Sequence, residues 1–249
     1  MNWQAVLDQL ETGEIRAASQ NEQGEWQANI EVKEAILAAF RAGENIEFEG
    51  NYQGFVDKHN LPARQFSSAD QVRLVPGGSS VRRGAYIAQG VIIMPPAYIN
   101  VGAFVDSGTM VDSHALIGSC AQIGKHVHVS AAVQIGGVLE PVGASPVIVE
   151  DNAFLGAGVV IVEGIVIKKN AVIAPGVSLS AAIPVFDCVN NTLLPRGAPI
   201  PEGAVVVPGT RPMQGEWANQ QGLSMACALI VKYRDEKSNA ALTLESVLR

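Results

Sequence analysis

Positive charge is scarce in this sequence. Seventeen Lys and Arg stand against twenty-four Asp and Glu, for a formal net charge of −7 and an isoelectric point of about 5.1. A general nucleic-acid partner needs a field of cations to neutralise phosphates, so that class is excluded. An anionic ligand would have to be met by local cations, for which Arg73, Arg82, Arg83, Lys125, Lys168, Lys169 and Arg211 are the candidates. Long apolar runs are missing too. No stretch of eighteen consecutive apolar residues occurs, so no membrane-spanning helix is expected. The opening MNWQAVLDQLETGEIR carries acids inside its apolar pattern, unlike a signal peptide. Cysteine is sparse: Cys120, Cys188 and Cys227 stand far apart with no CxxC. That reads as reduced structural thiols in a cytoplasmic protein. Of four histidines, His126 and His128 are expected to share a strand face, but His59 and His114 supply no third ligand at suitable spacing, so no metal is expected. Aromatics are only 6%. A core poor in rings is built from Val, Ile and Ala, which suits stacked β-structure. With 48% apolar and 16% charged residues the chain is globular, and 249 residues can bury a sizeable core.

What is present is order at a period of six. Residues 115–138 read ALIGSCAQIGKHVHVSAAVQIGGV. A large apolar residue recurs at every sixth position through Ile87, Ile93, Ile99, Val105, Val111, Ile117, Ile123, Val129 and Ile135. The register resumes, shifted by two, through Val149, Leu155, Ile161, Ile167, Ile173 and Leu179. Two places before each stands a smaller residue, such as Ala85, Val91, Ala97, Ala103 or Thr109. Helices repeat at 3.6 and strands at two, so neither alone explains a period of six. A coil of very short strands does. Positions i−2 and i point to the same, inner side, and the residues between hexads turn a corner rich in Gly, Asn, Asp and Ser. Three hexads close one turn, and successive turns stack about 4.8 Å apart as parallel strands. This is the hexapeptide-repeat β-helix, about five turns or roughly 24 Å tall.

Three regions are expected. Residues 1–80 form an N-terminal α-rich domain, with apolar helical spacing at Val6, Leu7 and Leu10 and at Val32, Ile36, Leu37 and Phe40. The polar stretch Gln20–Gly24 separates the two helices, residues 60–70 are loop, and Val72–Val75 is a short strand. Residues 81–180 form the β-helix. Its register breaks once, at fourteen positions from Ile135 to Val149 where two hexads would take twelve. Leu139–Ser145 is therefore read as a loop thrown out from a corner, where function tends to sit. Residues 181–249 form a capping segment, with strands at Glu202–Pro208 and Ala226–Tyr233 and a helix at Leu242–Leu248.

The stretch MVDSHALIGSCAQIGKHVHVSAAVQIGGVLEP resembles the tetrahydrodipicolinate N-succinyltransferases, as do RLVPGGSSVRRGAYIAQGVIIMPPAYINVGAFVDSGTMVD and the tail ACALIVKY. The likeness covers nearly the whole chain, without the family's usual opening segment. It implies a left-handed β-helix assembled as a homotrimer. The implied reaction is succinyl transfer from succinyl-CoA to the amine of an open or hydrated form of tetrahydrodipicolinate, in a groove between subunits. By matching position, Arg73 would hold a substrate carboxylate and Asp112 would meet the reacting amine. The residue types fit. An amine attacks a thioester only when neutral, so a carboxylate that accepts its proton is useful, and a guanidinium grips a carboxylate with two prongs. Coenzyme A could lie along small outer positions, for which Gly156, Ala157 and Ala174 are chosen, with Lys168 and Lys169 for its phosphates.

One departure stands out. Where the family reads Arg-Ser-Glu-Val-Val-Glu-Gly, this chain has Gly158-Val159-Val160-Ile161-Val162-Glu163-Gly164. The family's catalytic Glu thus falls at Val160 and its Arg at Gly158, while Glu163 is expected to face another way. Either Asp112 is the base alone, or His114 shares the role. His114 stands where the family usually has Trp, and imidazole titrates near neutrality. Alternatively the pocket serves another amine or an acetyl donor, as in tabtoxin-type specialised pathways. Two other classes compete: a non-catalytic β-helix scaffold, and a hexapeptide carbonic anhydrase, which would require a metal. Cys120 is read as packing and Glu140 as a loop residue near the site.

Overall fold

A computed structural model describes residues 2–234; the helix expected over Leu242–Leu248 lies outside the described residues. Helix α1 spans Trp3–Thr12. Its N-terminus is capped by the Asn2 side chain, which accepts from the Gln4 N–H at 3.0 Å, and Gly13 ends it in the left-handed region at φ 77°. Helix α2 spans Ile30–Ala42. The polar stretch between them is a turn rather than a bare linker: Ala18–Gln20 pairs antiparallel with Trp26–Ala28. A second hairpin joins Asn45–Glu47 to Val56–Lys58. Three-residue strands are too short to show alternation, which is why the sequence does not announce them. Leu7, Leu10 and Ile36 from the helices close over Val101 and Cys120 from the repeat region, with Leu139 packed at the edge.

The hexads fold as expected into three stacks of two-residue parallel strands. One face holds Tyr86–Ile87, Phe104–Val105, Gln122–Ile123, Ile148–Val149 and Val166–Ile167. The next holds Ile92–Ile93, Met110–Val111, His128–Val129, Phe154–Leu155 and Val172–Ile173. The third runs from Tyr98–Ile99 through Leu116–Ile117, Gln134–Ile135 and Val160–Ile161 to Ser178–Leu179. We call these the Tyr86, Met110 and Leu116 faces. Ile93, Ile99, Ile117, Ile123, Ile135, Leu155 and Ile161 are fully buried within the coil. The polar i−2 residue, Thr109, is buried and satisfied: its hydroxyl donates to the Gly124 carbonyl at 2.8 Å and accepts from the Val127 N–H at 3.0 Å.

The ladder starts earlier than residue 81. Arg73–Leu74 pairs with Ile92–Ile93, and Ser80–Val81 with Tyr98–Ile99. The register break also differs from expectation. Val105 pairs with Ile123, eighteen positions on, whereas Ile123 pairs with Val149, twenty-six positions on. The break is one hexad step lengthened by eight residues, not two hexads lengthened by two. Both readings give fourteen, and only the strand pairing separates them.

Beyond the hexads, Ile200 bridges Ile167, and Val205 and Val206 pair with Val172 and Ile173, so the chain continues the ladder. Ala204–Pro212 then turns through helix α3, Glu216–Gln220, into Ser224–Tyr233, its antiparallel partner. The two expected strands are present and longer. Tyr233 donates its hydroxyl to Asp187 at 2.6 Å, tying the last strand to Val185–Asp187. No helix among the described residues is long and apolar enough to cross a membrane.

All three cysteines are free; Cys120 and Cys227 are buried and Cys188 is exposed. Burial pushes the Cys120 thiol up to about 12, with Lys33 pulling weakly the other way. The thiolate is the nucleophile, so a disulfide reagent at pH 8 is expected to titrate Cys188 quickly and the other two only after unfolding. Fast native reaction at Cys120 would contradict this packing.

Candidate active site

The strand pairing places each outward residue in a vertical column. Asp112 follows Val111 on the Met110 face, at the corner leading to the Leu116 face. Its column continues upward through Ser130, Gly156 and Ala174. Three of the expected residues therefore share one line, with Asp112 two rungs, or about 10 Å, below Gly156. Ser113, Ala131, Ala157 and Pro175 make the adjacent column. His114, Ala132, Gly158 and Gly176 make the next, where the N–H groups of Ala132, Gly158 and Gly176 donate to the Ser113, Ala131 and Ala157 carbonyls in the rung below.

Asp112 is half-buried. One carboxylate oxygen, Oδ1, accepts the Ser113 N–H at 2.7 Å, which fixes the side chain at the corner. The backbone N–H of Asp112 donates to Val129 at 2.8 Å. Oδ2 has no hydrogen-bond donor among the described residues and is left to a ligand or to water. Arg73 is exposed on the same face two rungs below Met110, about 10 Å down the axis from Asp112. A carboxylate at one end and a guanidinium at the other frame an acceptor with an amine and a distant acid group. His114 is exposed in the left-handed region, φ 62°, and its backbone carbonyl accepts from Gln134 Nε2 at 3.1 Å.

Gly156 has a packing reason of its own. A Cβ there would stand 2.5 Å from the Pro175 nitrogen, so only glycine lets the rungs close at that point. Ala157 is exposed and Ala174 half-buried, which leaves a strip of small side chains above Asp112. Ser130 was missed by sequence reasoning, although adding one eighteen-residue turn to Asp112 finds it. It is nearly buried in the column between Asp112 and Gly156.

Other expected neighbours are not brought together. Lys168 and Lys169 sit at the opposite edge of the Met110 face, on the corner that follows Val166–Ile167. There the Lys169 N–H donates to Glu150 at 3.1 Å, and Lys169 shares a polar recess with Arg16, Trp26 and Asp151. Burial pushes the Arg16 guanidinium down, while Asp106 and Asp151 oppose the shift; its guanidinium carbon lies 3.7 Å from the Phe104 ring centroid. His126 and His128 do not share a strand face either. His126 occupies a corner at φ 53°, while His128 lies on the strand and stacks on Phe154 at 4.9 Å. Among the described residues no group of three or more His, Cys, Asp or Glu is placed to hold a metal ion.

Val160 is half-buried on the Leu116 face, between Gln134 below and Ser178 above. Gly158 is exposed at φ 70° with open space around it. Val159 points into the core and is fully buried. Glu163 stands at the far corner of the face, where its carboxylate accepts the Ala181 N–H at 2.9 Å. That corner opens into a cleft of about 470 Å³, walled by Gly136, Gly137, Glu140, Ser145 and Glu163.

Three parallel ladders of two-residue strands, with an anchored carboxylate at the foot of a column of small side chains, define a hexapeptide-repeat acyltransferase. Residues 3–42 match the family description "Tetrahydrodipicolinate N-succinyltransferase N-terminal", and residues 146–181 match "Hexapeptide repeat of succinyl-transferase". The chain belongs to the tetrahydrodipicolinate N-succinyltransferase family. It is 43% identical over 249 residues to the 2,3,4,5-tetrahydropyridine-2,6-dicarboxylate N-succinyltransferase of Nitrosococcus oceani, covering 98% of this chain and 87% of that one. The enzyme of the same name from Legionella pneumophila is 42% identical, with coverage of 98% and 86%. Among solved structures, a putative 2,3,4,5-tetrahydropyridine-2-carboxylate N-succinyltransferase from Campylobacter jejuni superposes with a TM-score of 0.60 at 19% identity. The match covers 92% of this chain and 62% of that one, and supports the fold alone.

Proposed function

We propose that the protein transfers a succinyl group from succinyl-CoA to the open-chain amine of tetrahydrodipicolinate. The observation that carries this reading is the column Asp112–Ser130–Gly156–Ala174, a strip of small residues ending at an anchored carboxylate. The pantetheine arm would lie along Gly156, Ala157 and Ala174, with Arg73 on a substrate carboxylate. The amine nitrogen attacks the thioester carbonyl; a C–N bond forms, the C–S bond breaks, and the amine proton passes to Asp112 and then to the coenzyme thiolate. In this reading the β-helix is left-handed, the terminal hairpin caps it, and the working unit is a cytoplasmic homotrimer with sites between flat faces. Lys168 and Lys169 reach the coenzyme phosphates only across a subunit boundary or over the full width of the Met110 face. His114, exposed beside Asp112, is the second candidate for the proton.

Thiol release with tetrahydrodipicolinate, measured side by side for succinyl-CoA and acetyl-CoA, tests the proposal. Faster turnover with succinyl-CoA is expected. No turnover with either donor would favour a ligand-binding scaffold. Val160 favours a second reading, in which the acceptor pocket is rebuilt for another amine or for an acetyl donor; a clear preference for acetyl-CoA would select it. Light scattering at micromolar concentration is expected to show a trimer, and a monomer would overturn the shared-site arrangement.

A further inference from the structure

Among the described residues, Lys33 is the largest charged side chain that is buried completely. It projects from helix α2, and Nζ donates to the Ala144 carbonyl at 2.7 Å and the Pro141 carbonyl at 3.3 Å, across more than a hundred residues of sequence. None of the ion pairs among the described residues involves it. Burial lowers its pKa, and the neighbouring Cys120 opposes the shift. An ammonium without a counter-charge is costly to bury unless its hydrogen bonds are made. A Met of similar length would fill the space without that cost. The lysine is therefore placed for its bonds to the loop rather than for packing.

The loop it holds is the eight-residue insertion. Leu139 packs at the edge of the N-terminal apolar cluster. The far end presses on the coil: a Cβ on Gly164 would collide with the Ser145 carbonyl. Pro141, Ala144 and Ser145 form one wall of the 470 Å³ cleft, opposite Val162 and Glu163. Two strands of the Leu116 face run straight into that cleft. Val160–Ile161 leads to Val162, and Gln134–Ile135 leads to Gly136, while Gln134 also bonds the His114 carbonyl beside Asp112.

We propose that Lys33 is a positioning residue: through the Pro141 and Ala144 carbonyls it sets the loop that walls the cleft at the far corner of the Leu116 face, the face whose Gln134 side chain reaches back to the His114 carbonyl near Asp112. The N-terminal domain then serves the site by holding this loop. The kinetic part rests on the succinyl-transfer reading; the structural part does not.

The test uses the full chain with Lys33→Met and Lys33→Gln. The first keeps length and volume; the second keeps a donor on a shorter stem. Amide hydrogen exchange across residues 139–145 is expected to speed up by about tenfold or more in Lys33→Met, as loss of charge-assisted bonds implies, with the coil's exchange unchanged. KM for the amine acceptor should rise by about the same factor while KM for the acyl donor stays within threefold, and Lys33→Gln should fall between parent and Lys33→Met. A merely structural lysine would move neither the loop alone nor one KM alone. Unchanged loop exchange overturns the clamp. A loosened loop with unchanged kinetic constants overturns the positioning role. If the parent turns over neither donor, the transfer reading fails while the exchange measurement still decides the clamp. If Lys33→Met does not fold, loop exchange and acceptor KM in Lys33→Gln decide both points in the same way.

Discussion

Asp112→Asn is expected to cut acyl transfer by about a hundredfold or more, the usual scale for loss of a general base. The expected loss is chemical, not structural. Asn keeps an oxygen in place of Oδ1, so the 2.7 Å bond from the Ser113 N–H survives, and the backbone bond to Val129 does not involve the side chain. What disappears is the proton-accepting capacity of Oδ2, which accepts no hydrogen bond among the described residues. The thermal midpoint should barely move, and the loss should appear in kcat rather than in KM for the coenzyme. Activity within threefold of the parent would assign the proton to another group, with His114 next in line because it is exposed two corner positions away.

Val160→Glu is expected to lower kcat/KM for the native reaction by roughly tenfold, equivalent to about 1.4 kcal/mol. The side chain would stand half-buried on the Leu116 face between Gln134 and Ser178. The amide of Gln134 is already committed to the His114, Ala132 and Val133 carbonyls at 3.1–3.2 Å. The cation that the family places two residues earlier is replaced by Gly158, with only open space around it. A carboxylate without a partner either pays its desolvation or takes up a proton. Of the three adjacent departures from the family pattern, Val159 faces the core and answers to packing, so Gly158 and Val160 alone point to a rebuilt wall. Both donors should be assayed. A gain in succinyl transfer would show that the site had simply lost a carboxylate that the chemistry still welcomes.

The hexad pattern is a local, strongly periodic signal, and it carried more than the presence of a coil. Strand alternation makes Val111 point in and Asp112 point out whatever the rest of the chain does. Eighteen residues per turn then bring Asp112 beneath Ser130 without any knowledge of neighbouring segments. The inner residues, the small i−2 positions and the outward direction of Asp112 and Val160 were all legible for that reason. The placement of His126 was not, because a residue near a strand end can belong to the corner, and the alternation rule stops there.

The insertion was the first point at which arithmetic failed, since a gap of fourteen fits two registers and only the pairing of Ile123 with Val149 chooses between them. That choice put Gly156, rather than Glu150, above Ser130 and Asp112. The docking of the N-terminal domain lay equally beyond the sequence. Lys33 in a helix and Ala144 in a loop carry no mark of each other, and in isolation each would be read as solvated. Their contact exists because Leu7, Leu10 and Ile36 bury themselves against Val101 and Cys120, which carries Lys33 under the loop. The sequence by itself therefore determined the coil, its inner core and the placing of Ser130 over Asp112, because these follow from short-range sterics repeated many times. Tertiary structure alone decided the register across the loop, the separation of Lys168 and Lys169 from that column, and the burial of Lys33, because each depends on which distant surfaces exclude water from one another.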